Sequence, residues 1–253
     1  MCIADGKIAD AKSNISGHQS WADSANRTVR HFAAHQHLYF EGEDKVQLFV
    51  ITSGWIKLYR TLLDGQRQVV GFANAGSILG LESDLSQANG CEAVTAVTAY
   101  AIPFGRLTEL CRHDGAFAEQ LMRQVGRQLG AAQAQLASVG TQSADQKLAT
   151  FLISIADLCG AQDDGDFDLP MRRGDMAEFL GLRLETVSRK MSEFQRRGWI
   201  RMASLYNCRI LRPDLLEDLA RGGEMDEAPM LRVARGATGR RCVPTPLQIS
   251  AAV

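Results

Sequence analysis

The chain has 253 residues, 45% hydrophobic and 23% charged, a balance that suits folded globular domains and excludes a fibre or a wholly disordered chain. No run approaches the roughly 20 apolar residues of a membrane span and no signal-peptide pattern opens the chain, so a cytoplasmic protein with reduced thiols is expected. The formal net charge of −1 supplies no global surplus of cations, so nucleic-acid binding would require a local basic patch.

Six cysteines (Cys2, Cys91, Cys111, Cys159, Cys208 and Cys242) form no Cys-x-x-Cys pair and no metal-type spacing, which argues against a disulfide framework. Residues 1–25 are small and polar without periodicity and read as a flexible tail. Over 26–112, short apolar runs at 38–40, 48–52, 55–59, 69–72 and 94–102 alternate with turn signals. Gly42, Gly54, Gly65 and Gly76 punctuate them at steps of 12, 11 and 11 residues. Short strands at such spacing belong to all-β sandwiches or barrels, with glycine supplying turn positions of positive φ, and predict a β-roll of about eight strands.

Residues 113–143 switch to a helical period. Val125, Leu129, Ala132, Leu136 and Val139 are spaced 4, 3, 4 and 3, an apolar stripe of the two-stranded coiled-coil kind. The stripe predicts a homodimer along this helix, although packing on the chain's own β-roll would bury it equally well. Gly126, Gly130 and Gly140 weaken the helix by up to about 1 kcal/mol each relative to alanine, but let backbones approach closely. A second helix over about 144–158 carries Leu148, Leu152 and Ile155 on one face, and the Asp-rich stretch 162–168 ends it.

Residues 171–200 are the informative segment. A helix-turn-helix needs a small residue where its helices touch, a left-handed residue in the turn and apolar positions that set the angle. Ala177, Gly181, Val187 and Met191 meet those needs in order, and Met176, Leu180 and Phe194 complete a small core. The second helix then starts near Leu184 or Glu185 and presents its first exposed residues to the major groove. Glu185, Ser188 and Arg189 share one face there. Arginine matches the O6 and N7 acceptors of guanine, and a carboxylate accepts from the cytosine amine, so the pair can read both partners of one G·C pair. Arg172, Arg173, Arg183 and Thr186 lie near the helix N-termini and are assigned to DNA phosphates. Residues 199–203 and 208–212 flank a turn and read as a wing. From 171 to 212 there are ten basic residues against four acidic ones, a local surplus of six that supplies the missing patch.

The fold class is therefore α+β: a β-roll over 26–112, a dimerisation helix over 113–143, a winged helix-turn-helix over 144–221 and a flexible tail over 222–253. No nucleophile–base pair or phosphate loop is apparent, so an enzyme is not expected.

With these parts in place, the chain resembles the Crp/Fnr superfamily of regulators over roughly residues 30–220, and Leu184-Glu185-Thr186-Val187-Ser188-Arg189 resembles its Fnr and FixK branch. The β-roll match rests on Gly42-Glu43, Ser53-Gly54, Gly65, Gly76 and Gly80-x-Glu82. The resemblance implies a homodimer on a palindrome of the TTGAT-N4-ATCAA type, base reading by Glu185, Ser188 and Arg189, and contact with RNA polymerase, usually for activation. Microaerobic, nitrogen-fixation and denitrification control are all compatible with it.

The resemblance also bears on the sensor domain. Cyclic-AMP binders of the superfamily follow their Gly-x-Glu with Arg-Ser or Arg-Thr. Here that place reads Cys91-Glu92-Ala93, so a bound phosphate would lose its guanidinium clamp and meet a carboxylate. Oxygen-sensing Fnr proteins hold a 4Fe–4S cluster with N-terminal cysteines and one more before an Ile-Pro-Phe run. This chain offers only Cys2 in the tail and Tyr100 before Ile102-Pro103-Phe104, too few thiolates for a cluster. His31, His35 and His37 have a weak metal or haem spacing. The expectation is thus a FixK-type regulator without a cofactor, with Cys208 in the wing as a redox candidate if exposed. An effector-gated regulator of the same architecture, answering to a small ligand, haem or redox, is the alternative.

Overall fold

The computed structural model describes residues 28–81, 85–159 and 166–223; residues 1–25, and 222–253 beyond its first two positions, lie outside them. Two four-stranded antiparallel sheets form the N-terminal domain. One runs β1 (Thr28–Phe32), β8 (Val97–Pro103), β3 (Gln47–Ser53), β6 (Ile78–Leu79); the other runs β2 (His37–Tyr39), β7 (Gly90–Ala93), β4 (Ile56–Thr61), β5 (Arg67–Ala73). Their inward side chains, among them Phe32, Phe49, Ile51, Ile56, Leu79 and Cys91, close a shared core. The roll is therefore built as its alternating pattern requires.

The apolar run at 94–102 is a bend followed by a strand, not one continuous strand. The chain leaves β7, bends, and enters β8 in the opposite sheet. The bend is tied down by Val94 N–H donating to the Trp55 carbonyl at 2.8 Å. Gly54, at φ 90°, makes that approach possible, because a Cβ there would lie 2.2 Å from the Ala96 carbonyl oxygen.

After a 3-10 turn (Phe104–Arg106) come α1 (Leu107–His113) and α2 (Gly115–Thr141). The Asp114 carboxylate caps α2 by accepting the Phe117 N–H at 3.0 Å. Phe117 then packs on Val50, Ile78 and Ile102 of the roll, with Leu121 against the same cluster. That contact spends one face of α2, and Met122, Val125 and Leu129 remain exposed on another. The stripe predicted for dimerisation thus does not pack on the chain's own roll at Val125 and Leu129, and Ala132 is exposed beside them. The side chains of Leu136 and Val139 lie outside the described ones.

The C-terminal domain contains α3 (Ala144–Cys159), β9 (Asp166–Asp168), α4 (Arg173–Leu180), α5 (Leu184–Arg196), β10 (Ile200–Ser204), β11 (Asn207–Ile210) and α6 (Pro213–Ala220). Ser143 and Gln146 start α3 with a capping box, side chain to backbone in both directions at 3.3 and 2.9 Å. The wing sheet runs β10-β11-β9. Its third strand, β9, falls in the Asp-rich stretch read as a plain helix stop. Pairing overrides its poor strand propensity: Phe167 faces the core, and Asp166 binds the Arg209 guanidinium on β11.

The two domains meet through aromatic rings. Phe72 on β5 lies with Phe151 on α3 and Phe179 on α4, centroids 5.5–6.0 Å apart. Polar ties flank them: Asn74 donates to the Leu158 carbonyl at 3.0 Å, Gln68 to the Glu178 carbonyl, and Lys57 pairs with Asp175 at 2.8 Å.

Candidate nucleic-acid interface

Helices α4 and α5 meet at the turn the sequence predicts. Gly181 ends α4 at φ 64° and donates its N–H to the Ala177 carbonyl, the left-handed cap that glycine adopts without strain. At the start of α5 the Arg183 carbonyl accepts from Thr186 and Val187 at 3.0 and 3.1 Å. Val187, Met191 and Phe194 bury one face of α5 against Met176, Ala177 and Leu180 of α4. That packing turns Glu185, Ser188 and Arg189 together onto the solvent side, with Leu184 exposed before them.

The back of α5 is held by ions. Lys190 bridges Asp145 on α3 at 2.8 Å and Glu193 at 3.2 Å, and Glu193 also takes Arg197 at 3.2 Å. Burial pulls the Lys190 ammonium down, but the two carboxylates outweigh it and raise its pKa. Burial likewise acts to raise Glu193, yet Lys190 and Arg197 outweigh it and the pKa falls. Sequence reasoning missed this brace. Glu193, three residues after Lys190, is a visible helical pair, whereas Asp145 is 45 positions away and reaches Lys190 only through tertiary packing.

The four residues assigned to phosphates are placed unequally. Arg183 is exposed at the N-terminus of α5 and Thr186 is half-buried one turn in. Arg172 is exposed, but its guanidinium lies 3.0 Å from His35 Nε2 on the β-roll. Arg173 does not stand out from the surface: it is half-buried, donates to Met176 Sδ at 3.3 Å, and burial lowers its pKa. Arg196 and Arg201, exposed on α5 and β10, add to the positive surface.

A Crp-like helix-turn-helix domain matches residues 146–219, and a cyclic nucleotide-binding domain matches residues 29–114. The chain is 32% identical to the nitrogen fixation regulation protein FixK of Rhizobium meliloti over 197 residues, 78% of this chain and 89% of that one. Identity to the protein of the same name from Bradyrhizobium diazoefficiens is 34% over 181 residues, 67% of this chain and 73% of that one. The chain belongs to the Crp/Fnr family, in its FixK branch. The solved structure of FixK2 from Bradyrhizobium japonicum superposes with a TM-score of 0.71 at 26% identity, covering 76% of this chain and 96% of that one. The Crp/Fnr chain is accordingly a DNA-binding transcription regulator, not an enzyme, and its α+β architecture is the family's.

Several expectations for this FixK-branch chain change with the geometry. Cys208 is fully buried among the C-terminal core side chains, and burial pushes its thiol up to about 12, so the redox candidate is corrected to a neutral packing residue. In the β-roll it is Cys91 that faces the interior. Glu92, next along β7, turns outward to Lys57, so a phosphate inside the roll would meet a thiol and not a carboxylate. Glu82 of the Gly-x-Glu element lies outside the described residues. His31 engages Thr98 across β1 and β8, while His35 and His37 both turn to Glu92, and among the described residues no group of three ligating side chains is arranged for a metal.

Proposed function

We propose that the chain acts as a homodimer on a two-fold palindrome of the TTGAT-N4-ATCAA type, activating transcription through contact with RNA polymerase. The observation that carries this reading is the exposed trio Glu185, Ser188 and Arg189 on the outer face of α5, at i, i+3 and i+4. Arg189 and Glu185 read one G·C pair in each half-site, while Arg172, Arg183 and Thr186 set register on phosphates. Arg173, half-buried, contributes to the same phosphate surface through its charge. The apolar stripe Val125, Leu129, Ala132, Leu136 and Val139 of the sequence, exposed on α2 at Val125, Leu129 and Ala132 and flanked there by Met122, supplies the two-fold contact that palindrome recognition needs. The names of the FixK relatives point to nitrogen-fixation control, and microaerobic or denitrification control fits the same site.

The test is binding of ligand-free, reduced protein to that duplex and to one with its two G·C pairs changed. Tight, selective, salt-dependent binding is expected. Equal binding to both duplexes would remove the base-reading roles. Binding only after a small molecule is added would favour the effector-gated form of the same regulator.

A further inference from the structure

We propose that the β-roll competes with DNA for Arg172, through a latch in which His35 holds the guanidinium and Glu92 holds His35. The latch rests on the reading of Arg172 as a phosphate contact.

His35 lies between β1 and β2 at φ 68°, the one non-glycine residue in the left-handed region among the described residues. Its backbone N–H donates to the Ala93 carbonyl at 2.8 Å, which seats this unusual turn against β7. Strained backbone held by its surroundings is a mark of functional positions. Here it aims the imidazole across the domain boundary, with Nδ1 3.3 Å from Glu92 Oε1 and Nε2 3.0 Å from the Arg172 guanidinium. A guanidinium only donates, so for both contacts to be hydrogen bonds Nε2 must accept and the proton must sit on Nδ1 toward Glu92. The contact therefore requires a neutral His35.

Glu92 is an anchored carboxylate. Its side chain is 7% exposed and lies 3.3 Å from Lys57 on β4, 3.3 Å from Arg67 on β5 and 3.7 Å from His37 on β2. Lys57 continues to Asp175 on α4 at 2.8 Å, and Asp175 accepts the backbone N–H of Arg172 at 3.1 Å. Arg172 is thus tied to the roll at its side chain through His35 and at its backbone through Asp175 and Lys57. A DNA phosphate offers charged, bidentate acceptors and must displace a neutral imidazole to gain them. Removing the imidazole releases Arg172, and DNA affinity rises.

The experiment compares wild type, His35→Gly, Arg172→Ala and the double variant on the palindromic duplex. Glycine accepts the left-handed backbone, so the turn is retained, and His35→Asn, too short to span to Arg172, is the second variant. Both His35 variants are expected to bind several-fold more tightly than wild type, because neither leaves an imidazole for the phosphate to displace. In the Arg172→Ala background His35→Gly should change nothing. Unchanged or weaker binding by the His35 variants, while Arg172→Ala weakens all duplexes, overturns the latch and leaves the phosphate contact standing. Arg172→Ala binding as tightly as wild type removes the phosphate contact, and the latch falls with it.

Discussion

Arg189 carries the sharpest expectation at the scale of single residues, because its side chain is exposed on α5 with Glu185 one turn before it. Arg189→Ala should cost about 1–3 kcal/mol of operator binding and relax preference at its G·C pair only. Fluorescence-anisotropy titrations of duplexes altered at that pair and at a distant one separate the roles: equal losses at both positions would reduce Arg189 to a general cation. Cys208 shows the opposite relation between sequence and site. Its place in the wing suggested reactivity, but a buried thiol with its pKa up at about 12 is protonated at neutral pH and lacks the thiolate that oxidation requires. Alkylation of the native protein should spare it.

Among the elements, α2 divides its surface between two tasks. Phe117 and Leu121 hold the roll, and Met122, Val125 and Leu129 stay in water in the single chain. Covering that stripe with a second copy would recover about 1.5–3 kcal/mol for each fully buried large apolar side chain. Leu129→Asp should therefore yield a monomer by sedimentation and, with two-fold recognition gone, lose tight palindrome binding; a variant that remains dimeric would move the interface elsewhere. The recognition helix α5 is positioned by apolar packing on one flank and by the Asp145–Lys190–Glu193–Arg197 brace on the other. Its orientation is thus a property of the domain and not of α5 alone.

For the whole molecule, the coupling between roll and helix-turn-helix runs through the Phe72, Phe151 and Phe179 rings and through Lys57. Burial acts to lower the Lys57 pKa, but its hydrogen bond and charge pairing with Asp175, and then Glu92, raise it above 10.5. A pKa raised by folding contributes stability that is fully present below the unfolded value and is lost as pH rises through the folded one. Wild type should then melt above Lys57→Met across neutral pH, and the gap should close as pH climbs past about 10.5. A gap independent of alkaline pH would assign the effect to packing of the lysine stem instead.

Much of the architecture was legible because it is written in local periodicity. Glycine punctuation marked the roll, the 4-3-4-3 stripe marked α2, and Ala177, Gly181 and Val187 marked the helix-turn-helix, since each reports a steric demand that neighbouring residues impose. The face shared by Glu185, Ser188 and Arg189 follows from helical geometry alone. Other features depend on residues far apart in the chain. The strand β9 exists because β11 pairs with it, against its own composition. Asp145 finds Lys190, and Glu92, Lys57 and Asp175 find one another, only when separate elements pack. Sequence therefore set the elements and the reading head, because those depend on backbone sterics and side-chain period. Tertiary structure alone decided which charges are buried together, which arginines stand free for DNA, and which cysteine is sealed from solvent, because desolvation and long-range pairing are properties of the packed chain.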